Sequence, residues 1–162
     1  YNDALQSYVS VFDGHDVDAS LLLLSRYGYA DPASARMRGT RSLVHERLER
    51  NGLLYRYRAT DDGLPPGEGT FGICSFWAVD AQALEGDVAG AEGRFRALLA
   101  RANDVGLFAE EIDPDDGSQL GNFPQAFTHV GLIDAALTLS GALAGSRRGL
   151  DPCRTVATRA EL

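Results

Sequence analysis

The sequence predicts an all-α protein built as an array of αα-hairpins. Long stretches rich in Ala, Leu and Arg contain few runs of β-branched residues, which favours helices over strands. Stretches that are apolar almost all round alternate with amphipathic ones about three times along the chain, as inner and outer helices of hairpins do. An inner row of helices is buried only when neighbouring hairpins close around it. Three hairpins make half of a closed toroid of six, so an open half would leave apolar flanks exposed.

Size and charge limit the possible functions. The chain has 162 residues, 44% of them hydrophobic, which is enough for one core. Its net charge of −8 argues against nucleic acid or an anionic membrane as a partner. Two cysteines and three widely separated histidines give neither a disulfide framework nor a metal-ligand spacing, so we predict no metal.

No signal peptide or membrane span is evident in the sequence. No apolar run approaches the roughly eighteen residues that a spanning helix needs. The cytoplasm is therefore the favoured compartment. The absence of a signal peptide does not determine the compartment in a chain that begins with Tyr1 rather than Met.

The first fifty residues predict three helical segments. Residues 1–10 have the pattern of a short helix. Asp16 or Asp18 can cap the next helix, at 18–27, whose run of four leucines predicts burial. An Asp-Pro pair at 31–32 marks the start of a half-exposed helix that runs to about position 50.

The remainder of the chain predicts a loop, two hairpin helices and a further inner helix. An Asn-Gly pair closes the preceding helix, an extended segment follows at 53–57, and an irregular loop covers 60–69. The apolar stretch after Thr70 predicts an inner helix, and the Gly-Asp pair at 86–87 begins its amphipathic partner. After an acidic loop, residues 124–143 predict another nearly all-apolar helix.

Two adjacent carboxylates, Glu110 and Glu111, stand at the beginning of that acidic loop. A carboxylate at the rim of a helical core, with a second acid nearby, can be tuned for general-base catalysis at neutral pH. The alternative is that both are solvated charges beside a helix end. The pair by itself leaves this choice open.

Three charged residues before the inner helix predicted after Thr70 also allow two interpretations. Glu68 lies between glycines just before that helix. It is either a helix cap or a first-turn charge favoured by the helix dipole, or it binds a sugar. Arg56 and Arg58 flank a tyrosine, and they either form a surface stripe or donate paired hydrogen bonds to sugar hydroxyls.

Other polar or aromatic residues are better explained by structure than by ligand binding. We interpret Trp77 as a core residue and His129 as a core histidine with satisfied hydrogen bonds. Asn122, Pro124 and Gln125 have the pattern of a helix start, with the asparagine as the cap.

Three stretches, taken together, resemble one enzyme family. They are FDGHDVDASLLLL at 12–24, GLLYRY…DDGLPPGEGTFGICSFWAVDA within 52–81, and GLFAEEIDP…QLGNFPQAFTHVGLI within 106–133. They resemble glycoside hydrolase family 15, which contains glucoamylases, glucodextranases and bacterial trehalase-like enzymes. The resemblance implies an (α/α)6 toroid, an inverting hydrolysis of α-glucosidic bonds in an α-glucoside or oligosaccharide, and no cofactor.

The resemblance also implies roles for individual residues. Glu110 falls on the family's general base, and Glu111 falls on a neighbouring position that orients substrate or water. Arg56 matches an arginine that binds the non-reducing-end glucose, while Glu68 and Phe71 fall in a loop that lines the same pocket. The substrate stays open among maltooligosaccharides, isomaltosides and trehalose.

One part of the family pattern is missing from this chain. The family's general acid lies upstream of the position that matches Tyr1, and inverting hydrolysis needs two carboxylates about 6.5–9.5 Å apart. We therefore expect residues 1–145 to be the C-terminal portion of the catalytic domain, followed by a tail at 146–162. Its partner would be the missing N-terminal half, and this chain alone would be inactive. The alternative is a truncated helical module that binds sugars or another protein without catalysis.

Overall fold

A computed structural model describes residues 1–58 and 69–149 of the chain, with side chains described up to residue 145. A 3₁₀ turn at Ala19–Leu22 leads into the first helix, and most of the residues that follow are helical. The helices are α1 (Leu23–Arg26), α2 (Ala35–Leu48), α3 (Gly72–Glu85), α4 (Val88–Leu99) and α5 (Ala126–Gly149). The strands are β1 (Glu49–Arg50), β2 (Leu53–Leu54), β3 (Thr70–Phe71), β4 (Glu111–Ile112) and β5 (Gln119–Leu120).

Helix α3 lies at the centre of the fold and is buried on nearly every side. Phe76 and Val79 belong to a core cluster shared with α4 and α5. Cys74 and Ala78 belong to a second cluster shared with the 3₁₀ turn, α2 and β2. The predicted inner helix is therefore confirmed, because a helix that contributes to two cores needs apolar residues all round.

The junction between α3 and α4 also follows the prediction. Gly86 has a φ of 104°, which is the left-handed conformation that ends helices at glycine. The Asp87 carboxylate then accepts a hydrogen bond from the Gly90 N–H at 3.0 Å and caps α4. On α4, Ala91 and Leu98 are buried, whereas Leu99 from the predicted apolar stripe is 41% exposed.

The predicted helix at residues 1–10 is wrong. The Asn2 side-chain oxygen accepts hydrogen bonds from the Ala4 and Leu5 N–H groups, and an isolated bridge pairs Asn2 with Ser7. These local bonds give the backbone an alternative to helical bonding. The segment is therefore a series of turns.

The next two helices differ from the prediction in extent. Asp18 caps the segment at 18–27 by accepting the Ser20 N–H at 2.7 Å, but that segment splits into a 3₁₀ turn and the single turn of α1. Within it, Ala19 and Leu22 are buried while the other leucines are half-buried. Helix α2 is capped by Ser34, and Asp31 lies in the turn before it.

The Asn51-Gly52 pair turns a hairpin between β1 and β2. Its φ angles of 52° and 80° are those of a type I′ turn, which suits the twist of two antiparallel strands. The pairing joins Glu49 to Leu54 and Arg50 to Leu53. The pair thus ends the helical region, as predicted, and also reverses the chain.

A three-stranded antiparallel sheet in the order β3-β4-β5 was not predicted. Its register pairs Thr70 with Ile112 and Phe71 with Glu111, and β5 pairs on the other side of β4. Each strand has two residues, which is too short for an alternating pattern to show in the sequence. This sheet fixes the loop that carries the two adjacent carboxylates.

Helix α5, predicted as nearly all-apolar, has one buried and one exposed apolar face, which agrees with the expectation that an open array of hairpins leaves apolar flanks exposed. At about 100° per residue, Val130, Ile133 and Leu137 lie opposite the buried set, and Phe127 lies at the edge between the two faces. The buried set is Gly131, Ala135 and Leu139. The exposed set is Phe127, Val130, Ile133 and Leu137, with exposed fractions of 70%, 51%, 55% and 67%.

The expectation of no membrane-length stretch also needs correction. Among the described residues, the α5 segment Ala126–Gly145 is long and apolar enough, by length and composition, to cross a membrane. Its mean hydropathy of 1.3 is reached although Asp134 lies within it. Asp134 pairs with Arg26 of α1 at 2.9 Å, and 22% of the segment is buried inside the fold. This segment is weak evidence for a membrane, because helices from protein cores have the same composition.

Candidate active site

The three-stranded sheet holds the backbone of Glu110 from both sides. The Gly72 N–H donates to the Glu110 carbonyl oxygen at 2.9 Å, and the Glu110 N–H donates to the Asn122 carbonyl oxygen at 2.9 Å. Glu110 is thus fixed between the start of α3 and the segment that leads into α5. Because successive side chains in an extended strand point to opposite faces, Glu110 and Glu111 are directed apart.

Glu110 lines a cavity of about 230 Å³. Its Oε2 atom accepts hydrogen bonds from Asn122 Nδ2 at 2.9 Å and from the Asn122 backbone N–H at 3.3 Å. Within the described part of the chain, no hydrogen bond reaches Oε1. The other residues that line the cavity are Arg56, Phe71, Ile73, Trp77, Gln125, Phe127 and Thr128.

Arg56 is held in the cavity wall by a carboxylate and an aromatic ring. Its Nε atom lies 2.7 and 2.9 Å from the two carboxylate oxygens of Asp18. Its guanidinium carbon lies 5.7 Å from the centroid of the Trp77 ring, within the range of a cation–π contact. Burial lowers the pKa of Arg56, but the hydrogen bond and charge of Asp18 outweigh burial and raise it above its ordinary value. Arg56 is therefore a fixed cation at the cavity.

Glu111 faces the other side of the strand. Its Oε2 atom accepts a hydrogen bond from the Gly69 N–H at 2.7 Å, and it is not among the residues that line the cavity. Its predicted contact with substrate or water stays a prediction. Phe71 does line the cavity, whereas Glu68 lies outside the described residues.

Three residues of the site have contacts that the sequence does not predict. Trp77 packs against the core as predicted, but it is half-buried and also lines the cavity. Asn122 bonds to Glu110 instead of capping α5. Asp18 caps the 3₁₀ turn as predicted, and its pairing with Arg56, 38 residues away, had no signal in the sequence.

His129 has the structural role that the sequence predicted. Its Nδ1 atom lies 2.7 Å from the Gln125 carbonyl oxygen, and its Nε2 atom accepts the Phe108 N–H at 3.4 Å. One tautomer, with the proton on Nδ1, satisfies both bonds. The imidazole thus ties α5 to the segment that carries Glu110.

Alternative sites are less suitable for chemistry. Among the described residues, no group of three or more His, Cys, Asp and Glu side chains could hold a metal ion. Cys74 is buried, and burial raises the pKa of its thiol to about 12, so it is protonated at neutral pH. A larger cavity of about 390 Å³, between residues 1–3 and 9–14, shares no lining residue with the Glu110 cavity.

Comparison with known sequences assigns the family. The sequence profile of "Glycosyl hydrolases family 15" matches residues 1–137. The chain belongs to glycosyl hydrolase family 15. This match includes the cavity residues and both small sheets.

Curated relatives of the chain are trehalases. The chain is 47% identical over 123 residues to a trehalase of Mycobacterium tuberculosis, which covers 75% of this chain and 18% of that protein. It is 35% identical over 142 residues to a trehalase of Thermoplasma acidophilum, which covers 88% of this chain and 24% of that protein. The chain thus spans about a fifth to a quarter of the length of these relatives.

Solved glycosidases have a similar fold. One wild-type glycosidase matches with a TM-score of 0.70 and 23% identity, over 83% of this chain and 39% of the solved chain. A variant glycosidase in complex with glucose matches with the same TM-score and 22% identity. At these identities the likeness shows that the mostly helical fold is shared.

Proposed function

We propose that this chain supplies the general base and part of the sugar pocket of a larger hydrolase that cleaves α-glucosidic bonds with inversion. The observation that carries the proposal is the placement of Glu110 at the cavity, with Oε2 bound by Asn122 and Oε1 without a hydrogen bond among the described residues. A general base needs an acceptor oxygen that faces the water it activates. Membership of glycosyl hydrolase family 15 supports the class of reaction.

In the proposed reaction, Glu110 accepts a proton from a water molecule whose oxygen attacks the anomeric carbon. A bond forms between that oxygen and the anomeric carbon, while the glycosidic bond on the opposite face breaks. A carboxylic acid donates a proton to the departing oxygen, so the charges balance. The attack from the opposite face inverts the configuration of the sugar.

We assign the general acid to a segment outside this chain, as the family resemblance implies. Inverting enzymes place the two carboxyl groups about 6.5–9.5 Å apart across the sugar. Glu110 is the only carboxylate among the described residues that line the cavity, and Glu111 faces Gly69 instead. We therefore expect the isolated chain to be inactive and the N-terminal half of the same domain to complete the site.

Trehalose is the proposed substrate. Relatives of the chain from Mycobacterium and Thermoplasma are named trehalase, and none of the sequence motifs favours a different α-glucoside. We assign the terminal glucose to the cavity, with Arg56 as the donor of hydrogen bonds and Phe71 as part of the apolar wall. Glu68, outside the described residues, is assigned to the same pocket by the family resemblance.

The exposed face of α5, formed by Phe127, Val130, Ile133 and Leu137, is the proposed contact surface for that N-terminal half. Phe127 belongs both to this face and to the cavity lining, so a segment packed on the face would also enclose the site. The solved glycosidase chain is more than twice as long as the part that matches, which leaves enough chain for a complementary array of hairpins. The closed arrangement would be the (α/α)6 toroid.

A binding module without catalysis is the second candidate function. It is favoured by the single carboxylate among the described cavity residues. Such a module would bind a glucoside saturably and release it unchanged. It differs from the hydrolase only in lacking a general acid.

The test combines the size and the activity of the native gene product. We expect an intact mass several times 17.4 kDa and hydrolysis of trehalose in preference to maltose and isomaltose. Preference for maltose or isomaltose would reject trehalose as the substrate while leaving the reaction class intact. A native product near 17.4 kDa that binds trehalose without hydrolysing it would reject the hydrolase in favour of the binding module.

A further inference from the structure

Asn122 surrounds one oxygen of the Glu110 carboxylate with hydrogen-bond donors. Its side-chain Nδ2 lies 2.9 Å from Glu110 Oε2, and its backbone N–H lies 3.3 Å from the same oxygen. Its carbonyl oxygen accepts the Glu110 N–H at 2.9 Å. One residue thus holds both the backbone and the carboxylate of Glu110.

Gly121 makes this close approach possible. A Cβ atom on Gly121 would lie 3.0 Å from Glu110 Oε2 and 3.1 Å from Glu110 Cβ. Its φ of 74° is also in the left-handed region, which residues other than glycine rarely adopt. A larger residue at this position would push against the carboxylate that Asn122 holds.

The two donors to Glu110 are uncharged. Among the described residues, Glu110 forms no ion pair, and Arg56 is paired with Asp18 instead. Neutral donors stabilise an ionised carboxylate and fix its plane. Because both bind Oε2, Oε1 is the carboxylate oxygen that has no hydrogen bond among the described residues.

We propose that Asn122, with Gly121 beside it, is the positioning residue of the general base. It holds Glu110 through Oε2 so that Oε1 is directed at the attacking water. Asn122 does not contact the sugar in this proposal, and it acts entirely through Glu110. The inference rests on the proposed role of Glu110 as the base.

The first variants are Asn122→Ala and Asn122→Asp in the native gene product. Asn122→Ala removes the side-chain donor and keeps the backbone donor, so we expect kcat to fall about 10- to 100-fold with KM within about threefold, as for a misplaced catalytic group. Asn122→Asp has nearly the same shape but sets a second carboxylate against Glu110. We expect a larger fall in kcat and an acid limb of the kcat/KM profile that moves to higher pH, because the two carboxylates share a proton.

A double-mutant cycle separates positioning from a merely structural role. In a Glu110→Gln background, Asn122→Ala should change kcat by less than about twofold, because its effect passes through the lost carboxylate. Leu120→Ala, on the preceding strand, is the matched control, since its side chain forms no hydrogen bond to Glu110 and kcat should stay unchanged. Circular dichroism of each variant checks that it is folded, and Asn122→Asp serves if Asn122→Ala fails to fold.

Three results would overturn the proposal. They are a kcat within about twofold of wild type for both Asn122 variants, a rise in KM at constant kcat, and an undiminished loss in the Glu110→Gln background. Failure of the proposed function looks different, because Glu110→Gln would then itself retain normal turnover. Loss of turnover in Glu110→Gln with normal turnover in both Asn122 variants rejects the positioning role alone.

Discussion

The chemistry proposed for single residues depends on a separation of charges within the site. Glu110 receives hydrogen bonds from neutral donors, while the nearby cation, Arg56, is paired with Asp18. A direct Arg56–Glu110 pair would neutralise both groups and occupy the oxygen that a general base needs. The observed pairing keeps a carboxylate and a cation in one cavity as separate binding groups.

Replacement of Glu110 by glutamine is the sharpest test of a single residue. Glu110→Gln keeps the shape and removes the proton acceptor, so kcat for trehalose should fall by about 10²- to 10⁴-fold while binding is largely retained. Glu46→Gln is the matched control, because Glu46 is exposed on α2 and is not among the residues that line the cavity, so kcat should stay intact. Steady-state kinetics of both variants measure this, and near-normal turnover of Glu110→Gln would reject it as the base.

The Asp18–Arg56 pair should affect binding more than turnover. Asp18→Asn removes the charge that orients Arg56, and the loss of a charged hydrogen-bond partner should raise KM or the Kd of a bound glucose about tenfold. Asp16→Asn, two residues away and exposed, is the isosteric control and should change neither constant. Titration calorimetry with glucose measures the effect. Equal affinities of the two variants would contradict an orienting role for Asp18.

Among the secondary-structure elements, α3 and α5 approach each other most closely at glycines. A Cβ on Gly72 would lie 2.6 Å from Thr128 Cγ2, and one on Gly131 would lie 3.0 Å from Ile73 Cγ1. Thr128 is buried, and its hydroxyl donates to the Ala109 carbonyl oxygen at 2.9 Å. The contact between the two helices therefore also supports the segment next to Glu110.

A pair of glycine-to-alanine variants tests this contact. Gly72→Ala should decrease the free energy of unfolding by about 1–3 kcal/mol, because Thr128 must move. Gly93→Ala on exposed α4 meets nothing within 4 Å and should increase it by roughly 0.4–1 kcal/mol. Denaturant unfolding measures both. Equal effects of the two substitutions would show that the close approach does not restrict residue 72.

The end of α2 carries a pH-sensitive network. His45 Nδ1 lies 2.5 Å from Glu49 Oε2, and Arg94 Nη2 lies 3.2 Å from the same oxygen. Burial and the charge of Arg94 lower the pKa of His45 below 6.5, although Glu49 opposes them. For Glu49, burial raises the pKa, but Arg94 and His45 outweigh it and lower the pKa below 4.5.

Stability should therefore fall as the pH falls. The fold favours neutral His45, so its contribution is present above pH 6.5 and is lost as the pH decreases toward the lower pKa of the folded state. Glu49 adds a further loss below pH 4.5. Thermal melts between pH 7.5 and 5.5 should show a smaller decrease in Tm for His45→Gln than for wild type. An equally steep decrease in His45→Gln would contradict the assignment.

The predictive power of the sequence differed between elements. Helix α3 was identified because burial on all sides leaves an apolar pattern that no polar face interrupts, and Gly86 marked its end. The sequence does not reveal the three-stranded sheet, because its strands have two residues each and β3 pairs with β4 across 42 residues. The sequence does not reveal the role of Asn122, because a capping asparagine and one bound to Glu110 have the same local pattern. Glu110 itself was assigned by family resemblance, since an isolated Glu-Glu pair has no distinguishing signal.

For the whole molecule, the main feature is an apolar face without a partner in the described structure. Val130, Ile133 and Leu137 lie opposite the buried face of α5 and Phe127 lies at its edge, and the described part of the chain leaves all four exposed. We propose this apolar stripe as a contact surface. The length of the relatives supports the remainder of the catalytic domain as the occupant.

Charged substitutions on the α5 face test that occupant. Ile133→Asp with Leu137→Asp should decrease the Tm of the native gene product and its activity, whereas Val105→Asp, at a turn residue that is 70% exposed, should change neither. A native product that is a dimer and becomes a normal, active monomer in the double variant would instead assign the face to a second copy. Vesicle binding lost in the double variant, with normal Tm, would assign it to lipid.

Proton NMR of early trehalose hydrolysis is the measurement that tests the central claim most directly. The native gene product should release one α-glucose and one β-glucose per trehalose before mutarotation, because inversion changes only the attacked sugar. The isolated chain of 162 residues should release none. Release of two α-glucose molecules, or hydrolysis by the isolated chain, would contradict an inverting site that is divided between this chain and the rest of the protein.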